Sequence, residues 1–225
     1  MVKKIYHGSK NLIEVPQYGC GKVYNDYGLG FYCTENIDMA KEWAVSAGQD
    51  GYANGYQLNL DNLKILNLNQ EAYCILHWLA ILLENREFDM PSALALEAKE
   101  YIFERFSVDY KKYDVIMGYR ADDSYFSFAQ DFLNGTISYR QLTNAMYLGK
   151  LGEQIVLKSE KAFNAIQFMG EETAKEKEWY PKKMLRDTKA RREYFDLERN
   201  RRQKGDIYVM QMIDEEMNAD DPRLR

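Results

Sequence analysis

The chain predicts an α+β fold with a helical C-terminal extension, and three observations carry that expectation. Short apolar segments suited to strands are interspersed with segments whose apolar residues recur at helical spacing. The 225 residues, 46% hydrophobic and 29% charged, are enough for one domain with additions at roughly 150 residues per domain. The character then changes after Glu171. Residues 182–204 carry ten Lys or Arg against four Asp or Glu, although the whole chain has a net charge of −5. The expected organisation is one domain over residues 1–170 and a charged helical extension over 171–225.

Val2 to Tyr6 reads as a strand ending at His7-Gly8-Ser9. A loop follows in which Gly19, Gly21, Gly28 and Gly30 alternate with Tyr18, Tyr24 and Tyr27. Phe31 to Cys33 is a second strand. Thr34 or Asn36 caps a helix to about Ala47 with Ile37, Ala40, Trp43 and Ala44 on one face. Tyr52 to Leu68 alternates as two strands with a turn near Asp61-Asn62. Asn69 is expected to cap a helix whose Ile75, Leu76, Leu79, Leu82 and Leu83 form a broad apolar face. Pro91 opens a further helix to Phe106, and Tyr113 to Tyr119 is a buried strand. Residues 121–149 mix the polar stretch ADDSYFSF with helices on either side of Asn134-Gly135. Gln154 to Leu157 and Ala162 to Phe168 read as the arms of a hairpin or near-hairpin. A long charged helix over Lys182 to Lys204, ended by Gly205, and a short helix from Tyr208 to Met217 complete the chain.

Several function classes drop out on composition. Cys20, Cys33 and Cys74 make no CxxC pair, and with only His7 and His77 beside them a Cys/His zinc site is not expected. The acidic net charge disfavours nonspecific adhesion to nucleic acid by the whole molecule. The N-terminal MVKKIYHGSK lacks a signal-peptide core, and the apolar run from Ala72 to Leu83 is too short to span a bilayer. No membrane association and a reducing, cytoplasmic setting are expected. There is no GxxxxGK[ST], HExxH or GxSxG, and the glycine pairs lack the third glycine of a dinucleotide fold.

What remains is a spaced constellation: His7-Gly8-Ser9 at the first strand, Gly30-Phe31-Tyr32 on the second, Trp43 on the next helix, and Glu153 opening a late strand. The segment IYHGSK resembles the first motif of the H-Y-E class of ADP-ribosyltransferases, which includes poly(ADP-ribose) polymerases and diphtheria-type toxins. DYGLGFYCTENIDMAKEWA is similar to their second motif, with Trp43 eleven residues after Tyr32, and LGEQIVLKSEKAFNAIQF resembles their third. The chain also looks like a bacterial family placed in that superfamily. The resemblance covers roughly the first 45 residues and residues 150–170, and it implies a split β-sheet core with flanking helices.

The resemblance further implies that NAD⁺ is the substrate, that no metal takes part, and that ADP-ribose passes to a macromolecular acceptor, protein or nucleic acid. Breaking the nicotinamide–ribose bond develops an oxocarbenium-like centre, which a fixed carboxylate stabilises. That role falls to Glu153, with His7 and Tyr32 as its catalytic companions. Tyr32 and Trp43 would stack on the cationic nicotinamide ring. The Gly8 backbone would hold the carboxamide, His7 and Ser9 the adenosine ribose, and Tyr27 would fold over the dinucleotide. An intracellular bacterial toxin or phage-conflict effector, with a neutralising antitoxin-like partner, is the implied setting.

Two positions depart from the pattern. Ala40 stands where a carboxamide-binding serine is common, and Leu151 where arginine-modifying relatives carry Glu or Gln. The rival readings are an NAD glycohydrolase, in which water replaces the acceptor, and a non-catalytic binding module. Singly, His7, Glu153, Tyr32 and Trp43 each have a structural explanation, and only their joint order is specific. Cys33 beside His7 reads as a buried thiol rather than a nucleophile and the acids at 122 and 123 as helix-capping residues, while the basic helix reads as a solvated face, with phosphate contact or docking of an acidic protein partner as alternatives.

Overall fold

A computed structural model of the chain describes residues 1–120, 123–148 and 153–224. It is a mixed α+β structure with two sheets. The first is antiparallel, in the order β1 (Val2–Ser9), β3 (Gly51–Asn59), β7 (Ile166–Ala174). The second runs β2 (Phe31–Cys33), β6 (Glu153–Leu157), β5 (Val115–Tyr119), β4 (Ile65–Asn67), with only the β4–β5 pair parallel. The sheets meet at a single bridge, where Tyr6 N–H donates to the Thr34 carbonyl at 2.7 Å and Thr34 N–H donates back at 2.9 Å.

Side-chain alternation divides the strands between two cores. Val115, Met117, Ile155 and Leu157 join Ile5, Phe31, Cys33, Tyr56 and Leu58 in one cluster. Ile116 and Val156, on the opposite face, join a larger cluster built on α2 (Ile75–Asn85) and α3 (Ala93–Phe106). Helix α2 buries every residue from Ile75 to Leu83, as its near-continuous apolar sequence demands. Helices α4 (Asp123–Leu133) and α5 (Tyr139–Ala145) complete that layer, and the four-residue α6 (Glu160–Phe163) links β6 to β7.

Several expectations need correction. Strand β1 continues through His7 and Gly8 to Ser9. The two strands expected on either side of a turn near Asp61-Asn62 lie in different sheets, and so do the arms expected as a hairpin or near-hairpin after Gln154. In both cases partner choice follows which core each apolar face must enter, which local alternation does not encode. Helix α1 (Ile37–Ala44) is capped by Asn36, whose Oδ1 accepts from the amides of Asp38 and Met39. Helix α2 is headed by Cys74 rather than Asn69, with His77 Nδ1 accepting the Cys74 N–H at 3.0 Å. Helix α3 begins at Ala93 rather than at Pro91, with Ser92 as its cap. The stretch expected as a polar loop is helical from Asp123, while Ala121 and Asp122 lie outside the described residues.

The charged helix α7 (Glu176–Glu193) starts earlier than Lys182, contains Pro181, and passes into a π-helical turn over Tyr194–Arg199. Its charges are largely matched at close range: Lys182–Glu178, Arg186–Glu42, Lys189–Glu193, Arg191–Asp187, Arg192–Asp196 and Arg199–Asp131. The boundary expected at residue 170 falls inside β7. Beyond it, Tyr194 stacks on Phe128 at 3.9 Å, and α8 (Val209–Asp214) sends Val209 and Met212 into the larger core.

Helix α1 lies directly on β1. A Cβ on Gly8 would stand 2.0 Å from the Ala40 carbonyl oxygen and 2.8 Å from Trp43 Cβ, so only glycine permits this approach. Gly8→Ala is therefore expected to push α1 off the sheet and cost ~1–3 kcal/mol, read as a lower urea midpoint. An unchanged midpoint would show that the helix does not depend on this contact.

Candidate functional site

Beyond the Tyr6–Thr34 bridge β1 and β2 part, and a cleft of about 480 Å³ opens beside them. Its lining includes His7, Tyr32, Trp43, Asp26, Arg86, Arg120 and Gln154, together with residues of the loop that follows β1. That loop is fastened from beneath by β3. The buried Asn54 amide donates to the carbonyls of His7 and Asn11 and accepts from Ile13 N–H, while the Tyr56 hydroxyl donates to the Ile13 carbonyl.

His7 sits at the parting of the strands. Its Nδ1 lies 2.7 Å from the Tyr32 carbonyl oxygen, so that nitrogen carries the proton, and its ring stacks on Phe31 at 4.3 Å. Burial pushes the imidazole below its ordinary pKa of 6.5, outweighing the opposite effect of the carbonyl. The neutral ring then offers Nε2 as an acceptor. Gly8 adds two more polar groups. Tyr6 directs its N–H and C=O toward Thr34, and residues two apart on a strand share that direction. The Gly8 N–H and C=O therefore leave the strand on the cleft edge, away from β3.

The opposite parts of the cleft are aromatic and charged. Trp43, carried by α1, has the Arg120 guanidinium over its ring at 4.5 Å. Asp26 is buried in the wall, 3.5 Å from Arg86 Nη1, and accepts from Gln154 Nε2 at 3.4 Å. The Tyr32 hydroxyl donates to the Gly28 carbonyl at 2.5 Å and accepts from Tyr27 N–H at 3.1 Å, which fixes the turn that ends in Gly30. Burial holds this phenol well above its usual range. Lys158 donates to the carbonyls of Tyr27 and Leu29 from the other side, and burial pushes its amine down to about 8.

The expected site residues thus separate. His7, Tyr32 and Trp43 meet in the cleft, and Gly8 borders it through its backbone. Ser9 Oγ is turned to its own loop, accepting from Asn11 N–H at 3.1 Å. Tyr27 does not fold over a ligand: it is 0% exposed, and its hydroxyl donates to the Tyr119 carbonyl. Its aromatic size wins it a place in the core. Glu153 is exposed and lines an adjoining groove with Thr34, Glu35, Asn36 and Ile37. Strand alternation presents Gln154, not Glu153, to the cleft. Leu151 lies outside the described residues. Cys33 is fully buried, which raises its thiol well above the ordinary range and leaves no access for a nucleophile.

Sequence reasoning missed Asp26, Arg86, Arg120 and Gln154. A sequence signal existed for Gln154, an amide in the otherwise apolar run Gln154-Ile155-Val156-Leu157; the other three come from distant elements that only the fold unites. Among the described residues, no group of three or more His, Cys, Asp or Glu is placed to hold a metal ion, and no helix is long and apolar enough to cross a membrane.

Burial lowers the pKa of both His7 and His77. The unfolded chain accordingly takes up protons near pH 6.5 that the folded chain refuses. Their contribution to stability is complete above that pH and is lost as the pH falls below it. Urea titrations between about pH 5 and 7 are expected to show this decline, with His7→Gln and His77→Gln each removing part of the slope. A flat profile would contradict the buried neutral state.

No curated protein and no solved structure matches the chain. The model of one family, described as protein of unknown function (DUF3990), matches residues 3–168. That span takes in β1 to α6 and all the cleft residues named above, and on it the chain belongs to the DUF3990 family.

Proposed function

We propose that the cleft binds NAD⁺ and that the chain transfers ADP-ribose from it to a macromolecular acceptor, with release of nicotinamide. The observation that carries this reading is the meeting of His7, the Gly8 edge, Tyr32 and Trp43 where two sheets part. In this reading the two sheets are the split core of an ADP-ribosyltransferase. A carboxamide needs one donor and one acceptor, which the Gly8 N–H and C=O supply. The Trp43 face already attracts the Arg120 cation, so a pyridinium ring exchanges for a group of the same charge. His7 Nε2 accepts from a ribose hydroxyl, and its neutrality keeps that lone pair available.

The chemistry then asks for a carboxylate at the ribose. The C1′–nitrogen bond breaks with its electron pair leaving on nicotinamide, the acceptor nucleophile bonds to C1′, and its proton passes to a base. Glu153 takes this part. Its side chain lines the groove rather than the cleft, so this reading requires the reacting ribose to reach past β6 from the cleft toward Glu153.

A second reading, binding without turnover, is favoured by one observation: the β6 side chain in the cleft lining is the amide of Gln154. Labelled NAD⁺ separates these outcomes. Transfer gives label on a macromolecule, whereas hydrolysis gives free ADP-ribose alone. Glu153→Gln is expected to slow nicotinamide release by about 100-fold or more while leaving NAD⁺ affinity nearly unchanged. His7→Ala is expected to weaken affinity as well. Equally slow release by wild type and Glu153→Gln would leave only the binding module.

A further inference from the structure

Five buried side-chain polar atoms among the described residues have no hydrogen-bond partner: Trp43 Nε1, Trp78 Nε1, Arg105 Nε, Asn134 Oδ1 and Gln154 Oε1. Two of these residues, Trp43 and Gln154, line the cleft. Folded proteins leave few such atoms unsatisfied, because a buried group without a partner forfeits its bond to water. A ligand site is a place where that cost is recovered.

Gln154 is not an incidental surface amide. It is 5% exposed, and the Asp26 carboxylate beside it is 4% exposed. A carboxylate accepts hydrogen bonds, so the 3.4 Å contact with Asp26 fixes which end of the amide is NH₂ and which is oxygen. Asp26 is held in turn by Arg86. The chain therefore holds a lone acceptor, Oε1, on a residue that lines the cleft. Trp43 contributes the complement, an indole N–H that can only donate. Trp43 is carried by α1, whose Ala40 and Trp43 lie against Gly8.

We propose that Gln154 Oε1 and Trp43 Nε1–H are complementary recognition atoms of the cleft, reading an uncharged group that both donates and accepts, and that Gln154 determines ligand specificity. Three groups have this chemistry in a pyridine dinucleotide: the primary carboxamide, the sugar hydroxyl and the amino edge of adenine. The inference rests on the nucleotide reading of the cleft and adds residues to it. It gives the cleft-facing position of β6 a binding role separate from the carboxylate of Glu153.

The test combines affinity with stability on the full chain. NAD⁺, nicotinamide and ADP-ribose are titrated by calorimetry into wild type, Gln154→Met and Trp43→Phe, and each protein's thermal midpoint is measured without ligand. Methionine keeps the side chain's length and removes the lone acceptor together with the Nε2 donor to Asp26. Gln154→Met is expected to weaken NAD⁺ binding about tenfold and to lower the midpoint only modestly, because Asp26 loses this donor but keeps Arg86. Trp43→Phe, which keeps an aromatic face, is expected to lose affinity in the same arm. Loss in the nicotinamide arm identifies the carboxamide as the group read, and loss in the ADP-ribose arm identifies a sugar hydroxyl or the adenine edge. Unchanged affinity in Gln154→Met for every ligand that wild type binds overturns this inference alone and makes Gln154 a structural amide. Failure of wild type to bind any of the three overturns the nucleotide reading, and this inference with it.

Discussion

The pair of backbone bonds between Tyr6 and Thr34 is the constraint on which the rest of the molecule hangs. It joins the edge of one sheet to the edge of the other at one point and lets them diverge on either side. On one side of that point the His7 ring reaches across to the Tyr32 carbonyl, and an imidazole takes the place of the next rung of the ladder. The opening is thus a consequence of pairing that stops early. Everything that lines it is arranged to keep the gap from closing: Phe31 stacked behind His7, Trp43 on the helix above, and the buried Asn54 beneath the covering loop.

The turn before Gly30 shows how polar and apolar demands are reconciled in the same few residues. Tyr27 fills the core and donates to Tyr119, Tyr32 bonds back to the Gly28 carbonyl, and Lys158 gathers the carbonyls of Tyr27 and Leu29. A lysine withdrawn so far from water is tolerated because backbone oxygens replace its hydration. Gly28 is required both by its φ of 71° and by Asn85 Oδ1, which would lie 2.5 Å from an added Cβ. The cleft wall is therefore rigid where it carries Tyr32.

Much of this was legible in the sequence, and the failures share one cause. The elements β2, α1, β5 and the apolar face of α2 follow from period and capping residues alone, since each is decided within a dozen neighbours. The convergence of His7, Tyr32 and Trp43 was legible through motif order. What failed depends on distant partners. No local signal says that β3 and β4 belong to different sheets, that Tyr27 is core while Tyr32 borders the cleft, or that Gln154 turns inward and Glu153 to the adjoining groove. Adjacent residues on a strand face opposite ways, so a shift of one position exchanges a carboxylate for an amide.

Helix α1 is buttressed on its far flank by chain that follows the family match. Arg186 pairs with Glu42 at 2.7 Å, Lys183 donates to the Val45 carbonyl, and Trp179 packs with Ala44, Val45 and Ala174. The support that steadies the tryptophan wall thus comes from residues 176–193, downstream of the matched span that ends at 168.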